Sequence, residues 1–300
     1  MSENYGLIIS CNYPNTGSEL NGCYNDGNSY KRFLEEKLKI NNFVIMNDID
    51  YNKNEEYFPT SNNIIKQIEK LSKLDINHLF IYFSGHGSYI SDWSLDESLV
   101  NDPNNINSQL SLNKDSILIT NEGDKIGYLV DDKINELLRL FKKDTIIFAC
   151  FDCCHSGTIC DLKYVYAPIK ELLGYKIYKM NYQTDEMNAK VIKIAGTRDN
   201  SVAYETFLKD KVQGVLTFFL IENLNKSLEN KINLNDLLLN LTNQITKRLN
   251  SEIQIPVLST SHNLDLNNSY INKLESKNIK YFTLTIKEPI KNNSFLSGCK

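Results

Sequence analysis

The chain has 300 residues, 41% hydrophobic and 23% charged, with a formal net charge of −4, the balance of an ordinary soluble globular protein. That acidity gives no electrostatic case for binding nucleic acid or an anionic membrane. No apolar run approaches the roughly 18 residues of a membrane span, and the amino terminus MSENYGLIISCNY lacks the basic region of a secretory signal.

YGLIISC at 5–11 reads as a short strand, and about Asn25 to Leu38 as a helix with Tyr30, Phe33, Leu34 and Leu38 on one face. FVIM at 43–46 is a second strand, and Ser61 to Leu74 a second helix with Ile64, Ile65, Ile68 and Leu71 inward. HLFIYF at 78–83 is a third strand. The Asn- and Ser-rich stretch 88–114 has weak periodicity and reads as a surface insertion or lid. SILIT at 116–120 is strand-like, Asp131–Phe141 helical, and TIIFACF at 145–151 a buried strand. A loop region is expected over about 158–189, and the lysines Lys170, Lys179, Lys190 and Lys193, taken as loop residues, stand as unranked self-cleavage points. VIKIAG at 191–196 is a further strand, and 212–228 and 234–249 are helices, the second with Leu234, Leu237, Leu241, Ile245 and Leu249 on one face. IQIPVLST at 253–260 and KYFTLTI at 280–286 are strand-like. Strands alternating with helices predict a mainly parallel sheet between helix layers, and without an obvious linker the chain reads as one domain over 1–300.

Two strands end in turns that carry chemistry. TIIFACF runs into DCCHSG at 152–157, and HLFIYF into SGHG at 84–87. In a parallel sheet, residues just past the carboxyl ends of neighbouring strands meet in one crevice. A thiol and an imidazole delivered there suggest a nucleophilic dyad of Cys154 and His86, since a thiol needs a base or a lowered pKa to attack. Most free cysteines are small buried hydrophobes, a description that suits Cys11 and Cys150 but not Cys154 on its Gly-flanked turn. His78 reads as a core histidine. His155 competes as the base, although side chains of adjacent residues usually diverge. The seven cysteines, Cys11, Cys23, Cys150, Cys153, Cys154, Cys160 and Cys299, are odd in number and crowd around one turn. They read as reduced intracellular thiols in a cytoplasmic protein. Zinc on Cys150, Cys153, Cys154, His155 and Cys160 is the rival reading, against which one short turn rarely supplies four tetrahedral ligands.

SGHG and DCCHSG, in this order, resemble the metacaspases, caspase-like cysteine peptidases. LNGCYND at 20–26, LVDDKI at 129–134, IAGTRDN at 194–200 and IPVLSTSHNLDLN at 255–267 extend the likeness over about residues 5 to 272. Thr197 departs from the family, which usually has Cys there. The resemblance implies a caspase-like three-layer α/β/α sandwich with a mainly parallel central sheet. A large-subunit-like part would span about 1–165 and a small-subunit-like part about 190–300. With no prodomain and no long linker expected, a single-chain monomer follows.

The resemblance also implies roles. Cys154 would be the nucleophile and His86 the general base and acid, with the backbone N–H groups of Gly87 and Cys154 as the oxyanion hole. An acidic S1 pocket would fall on Asp26 and Asp152, with Ser84 and Cys23 beside them. Two carboxylates facing a narrow pocket suit a guanidinium or ammonium, so protein or peptide substrates would be cut after Arg or Lys. For Asp26 the residue-level alternative is a helix N-cap. Calcium activation would use Asp131, Asp132, Asp161 and one upstream aspartate. Asp96 matches the family there in letters and Asp115 in spacing, and Asp115 is the choice; Asp131 and Asp132 could instead simply favour a helix N-terminus. The readings of other classes are a catalytically silent caspase-like scaffold and a zinc or thiol-redox regulator.

Overall fold

A computed structural model describes residues 3–91, 114–182, 184–199, 201–229, 231–276 and 279–289. Along the first half come β1 (Glu3–Ser10), α1 (Cys23–Leu38), β2 (Asn42–Asn47), α2 (Ser61–Ser72), β3 (Ile76–Ser84), β4 (Gly87–Ser91), β5 (Lys114–Asn121), β6 (Ile126–Val130), α3 (Asp131–Leu138) and β7 (Ile146–Asp152). The second half adds β8 (Tyr164–Glu171), β9 (Gly174–Asn181), β10 (Lys190–Ala195), β11 (Glu205–Leu208), β12 (Lys211–Gly214), α4 (Val215–Glu229), β13 (Ile232–Asn233), α5 (Leu234–Leu249), β14 (Val257–Thr260), β15 (Tyr270–Ser276) and β16 (Ile279–Thr285).

Eight strands form the main sheet in the order β2-β1-β3-β7-β10-β14-β8-β9. The first five run parallel, and β14, β8 and β9 join antiparallel. Alternation along each strand sends its side chains into two separate cores. Leu7, Ile9, Leu79, Ile81, Ile147 and Ala149 pack with Ile64, Ile68 and Leu71 of α2 and Ile134 and Leu137 of α3. Ile8, Phe80, Tyr82, Phe148, Ile192 and Ile194 face Tyr30 and Leu34 of α1, Leu216 and Leu220 of α4, and Leu237 and Leu241 of α5. Helices therefore cover both faces, which makes the expected three-layer sandwich. Helix starts are chemically marked: Thr60 caps α2 by accepting from the Asn63 N–H at 3.1 Å, and Asn233 caps α5 by accepting from Asp236 N–H at 2.7 Å.

Several expectations need correction. The span 158–189 is not a loop throughout: β8 and β9 form a hairpin at the sheet edge, turning through Leu172 and Leu173 into Gly174 at φ 129°. β9 is the edge strand and mixes exposed and covered side chains, while β8 carries Pro168 beyond its pairing with β14, so their alternation is hard to read. The four lysines taken as loop residues lie on strands, Lys170 on β8, Lys179 on β9, and Lys190 and Lys193 on β10. Lys193 has no solvent exposure at all, which removes it as a self-cleavage point. The first helix begins at Cys23 with Gly22 as its N-cap, so Asp26 lies inside the helix and is not a cap. The helix expected from 212 starts at Val215, because Lys211–Gly214 pairs with β11. The strand 253–260 enters the sheet only at Val257, and β16 pairs with β15 outside the main sheet. Of the expected insertion, 88–91 belong to β4 and Lys114 opens β5, while its remainder, Asp96 included, lies outside the described residues. Among the described residues no helix is long and apolar enough to cross a membrane.

Candidate active site

β3 and β7 are parallel neighbours, and Ser84 pairs with Asp152 at their carboxyl ends. His86 and Cys154 each follow two residues later, so the register alone delivers both to one edge. They line a common cleft of about 450 Å³ with Cys23, Asp26, Ser84 and Asp152. All six side chains assigned to catalysis and S1 from the sequence are thus brought together.

Cys154 is half-buried, and its Sγ accepts the Ala203 N–H at 3.2 Å. Burial raises its pKa, with the Ala203 hydrogen bond opposing. A thiol so placed needs a base to become a nucleophile. His86 is held by Tyr13, whose hydroxyl accepts the His86 N–H at 2.9 Å and whose ring stacks on the imidazole at 5.0 Å. The same hydroxyl donates to the Ile119 carbonyl at 2.7 Å. Gly85 makes room for it, since a Cβ there would lie 2.7 Å from the Tyr13 oxygen. The His86 Nε2 lies 2.8 Å from the Ser18 carbonyl oxygen, which only accepts. Nε2 therefore carries the proton, and Nδ1 of the neutral ring keeps the lone pair.

His155 is occupied elsewhere. It has φ 50°, its N–H donates to the Ser201 carbonyl at 3.1 Å, its Nδ1 meets the Asp199 carbonyl, and its ring packs edge-on against Tyr89. The cysteine cluster is divided by the sheet, with Cys150 in one core and Cys153 and Cys160 in the other. Among the described residues no group of three His, Cys, Asp or Glu side chains is placed to hold a metal ion, which weighs against zinc on this turn.

Gly87 opens β4 against the nucleophile turn. A Cβ at this position would overlap the Cys154 carbonyl oxygen and lie 3.1 Å from Cys153 Sγ, so only glycine permits this approach.

Asp26 and Asp152 are buried in the floor of the cleft. Both Asp26 oxygens accept the Gly214 N–H, at 3.0 and 2.9 Å, and Oδ2 also accepts from Ser84 Oγ at 3.3 Å. Asp152 Oδ2 accepts the Thr217 N–H at 3.0 Å and the Thr217 hydroxyl at 2.6 Å. Burial, and then the neighbouring Asp152, push Asp26 well above the usual carboxylate range. Burial likewise pushes Asp152 up to about 6, against the pull of the Thr217 hydrogen bonds. Two buried carboxyls with raised pKa values form a pocket that a cation would stabilise.

Three contributors escape sequence reasoning. Glu205 lines the same cleft and accepts from the Asn21 and Gly22 N–H groups, the latter at 2.8 Å. Tyr13 reads as a loop residue, and only its contact with His86 reveals it. Asp199, within IAGTRDN, is buried and accepts the Thr158 N–H at 2.7 Å and the Ser116 hydroxyl at 3.4 Å. The signal available for Asp199 was its place in a family-like segment; Glu205 and Tyr13 carried none.

The aspartates assigned to calcium lie behind the nucleophile turn. Asp115 is on β5, Asp131 and Asp132 open α3, and Asp161 has φ 42° in the segment after Cys154. Asp131 accepts the Ser116 and Asp132 N–H groups, the latter at 3.0 Å. Its carboxyl is pushed up to about 8, chiefly by burial, with the Asp115 and Asp132 charges adding and the two hydrogen bonds opposing. Their four carboxylates are the hard oxygen donors that calcium takes, but as placed they too form no group of three that could hold a metal ion.

Fold and cleft define a caspase-like cysteine-type peptidase. The family model "Metacaspase, peptidase C14 domain" matches residues 5–163, more than half of the chain, and the chain belongs to this family. Among curated relatives, metacaspase-1B of Aspergillus terreus is 26% identical over 305 residues, covering 87% of this chain and 76% of that protein. Metacaspase-1B of Aspergillus clavatus is 27% identical over 307 residues, covering 87% and 70%. Among solved structures, protein GSU0716 from Geobacter sulfurreducens shares the fold with a TM-score of 0.56 at 18% identity, over 88% of this chain and 95% of that one.

Proposed function

We propose that this peptidase is a calcium-activated endopeptidase that cuts after Arg or Lys, with Cys154 as nucleophile and His86 as base. The observation that carries the reading is the single cleft lined by Cys154, His86, Asp26 and Asp152. The P1 cation would enter between the two carboxyls, which burial makes receptive to positive charge.

Nδ1 of His86 takes the thiol proton, and Sγ attacks the scissile carbonyl carbon. The developing oxyanion is stabilised by the N–H groups of Gly87 and Cys154, a type of contact worth about 100- to 1000-fold in rate. The C–N bond breaks as His86 returns the proton to the leaving amine, leaving a thioester on Cys154. Water, deprotonated by His86, then attacks the thioester, releasing the new carboxyl end and regenerating the thiol.

Calcium, when bound, would be held by Asp115, Asp131, Asp132 and Asp161, and would supply the positive charge that lets these carboxyls ionise together. Asn135 braces the segment carrying Asp161, donating to the Cys160 and Asp161 carbonyls at 2.8 and 3.0 Å. The enzyme would act on protein or peptide substrates as a monomer in the cytoplasm.

The test is a reporter-peptide panel with Arg, Lys or Asp at P1, run with calcium chloride and with chelator, on wild type and Cys154→Ala. Hydrolysis confined to Arg and Lys reporters, lowered sharply by chelator and abolished in Cys154→Ala, is expected. Unchanged activity in that variant would remove Cys154 as nucleophile; preference for Asp would overturn the pocket; indifference to chelator would remove the metal.

A further inference from the structure

Lys193 is the most unusual buried group outside the cleft. It sits on β10, a strand that otherwise reads as apolar, between Ala149 of β7 and Ser259 of β14. Its side chain is fully buried, and an isolated ammonium there would be strongly unfavourable. All three of its N–H donors are used on main-chain carbonyls: Ser156 at 3.2 Å, Gly157 at 2.7 Å and Ile159 at 2.8 Å. These carbonyls belong to the segment that begins two residues after Cys154 and ends at Asp161.

Asp199 holds the same segment from its amide side, through the N–H and hydroxyl of Thr158. Its other oxygen, Oδ2, has no hydrogen-bond partner among the described residues. Asp199 packs so tightly on Gly157 that a Cβ there would lie 2.8 Å from Oδ1. One short segment is thus gripped by the Lys193 donors on its carbonyls and by Asp199 Oδ1 on its amide. Burial pulls the Lys193 pKa down, and the Cys160, Asp199, Asp161 and Asp131 charges oppose it.

We propose that Lys193 is a positioning residue for the peptidase reaction: its three N–H donors tie down the carbonyls of the segment behind Cys154. The inference rests on Cys154 as the nucleophile. Removing those donors should loosen the turn and slow catalysis, because Cys154 and its N–H are carried by that turn.

The experiment compares wild type, Lys193→Met and Lys193→Gln on an Arg reporter, with kcat and KM measured in calcium chloride. kcat should fall in the order wild type, Gln, Met, by at least about tenfold for Met, with KM nearly unchanged. Partial rescue by Gln, which keeps an amide donor, is the readout that a general packing defect would not give. Folding is checked by near-ultraviolet circular dichroism; if Met does not fold, Gln alone carries the comparison. Wild-type kcat in a folded variant, or a change confined to KM, would overturn the proposal. If wild type hydrolyses no Arg reporter, the proposed specificity fails separately, and the rate of Cys154 alkylation by iodoacetamide decides the positioning role: a wild-type rate in a folded variant overturns it.

Discussion

Asp26 and Asp152 stand on either side of Gly214, so close that a Cβ on that glycine would overlap Asp152 Oδ2 and lie 3.0 Å from Asp26 Oδ2. Neither carboxyl can be read alone, because each raises the cost of ionising the other. Asp152 sits at about 6 and Asp26 is raised well above the usual carboxylate range, both chiefly by burial. Below about pH 6 the pair carries less negative charge, and a P1 cation must displace a proton to bind. KM for an Arg reporter should therefore fall as pH rises through about 6. Calorimetry in buffers of different ionisation enthalpy should detect proton release on binding. The stability sign is opposite: the folded protein holds protons that the unfolded chain gives up, so this pair's contribution is full below about pH 4 and is lost as pH rises through about 6. A KM flat from pH 5 to 7.5, on the order of this window, would reject the pocket's ionisation.

Tyr13→Phe removes the hydroxyl that joins the His86 N–H to the Ile119 carbonyl while keeping the stacked ring. A neutral hydrogen bond is worth about 1 kcal/mol, so kcat should drop by roughly fivefold with KM little changed. Steady-state kinetics on one Arg reporter measure it. A change confined to KM would mean that Tyr13 shapes substrate binding instead of the histidine.

Glu205→Gln tests a third acid in the cleft. Its carboxylate is oriented by the Asn21 and Gly22 N–H groups and is more open to solvent than Asp26 or Asp152. Across a partly solvated gap a single charge is worth about 0.7 kcal/mol, so KM for basic peptides should rise roughly threefold, with kcat unchanged. The effect should shrink at high salt. An unaltered KM at low salt would show that Glu205 serves only to hold Asn21 and Gly22.

Gly87→Ala places a methyl group against the Cys154 carbonyl. Pushing β4 away from the nucleophile turn should separate the two proposed oxyanion donors and lower kcat by at least about 100-fold. Alkylation of Cys154 by an electrophilic basic peptide reports the same loss independently of turnover. Near-wild-type kcat in the folded variant would place the oxyanion donors elsewhere.

Much of the fold was legible because its signals are local. Helical spacing of Ile64, Ile68 and Leu71, and unbroken apolar runs such as HLFIYF, mark elements without reference to the rest of the chain. Edge elements were not legible. β9 lies at the open edge and mixes exposed and covered side chains, β8 is buried throughout its first half and so does not alternate, and β11 and β12 are only four residues each. Lys193 was misread for a related reason: lysine is ordinarily exposed, and nothing local reveals three carbonyls waiting in a distant loop.

The sequence by itself determined that Cys154 and His86 follow buried strands on Gly-flanked turns; that Asp26 and Asp152 join them was implied only by the family resemblance. Only the tertiary structure decided the rest: the proton on His86 Nε2, the raised carboxyls in the cleft, Glu205 at its wall and Lys193 beneath the nucleophile turn. The reason is physical. Turn geometry and periodicity are written within a few residues, whereas hydrogen-bond partners and desolvation come from groups that only folding brings together.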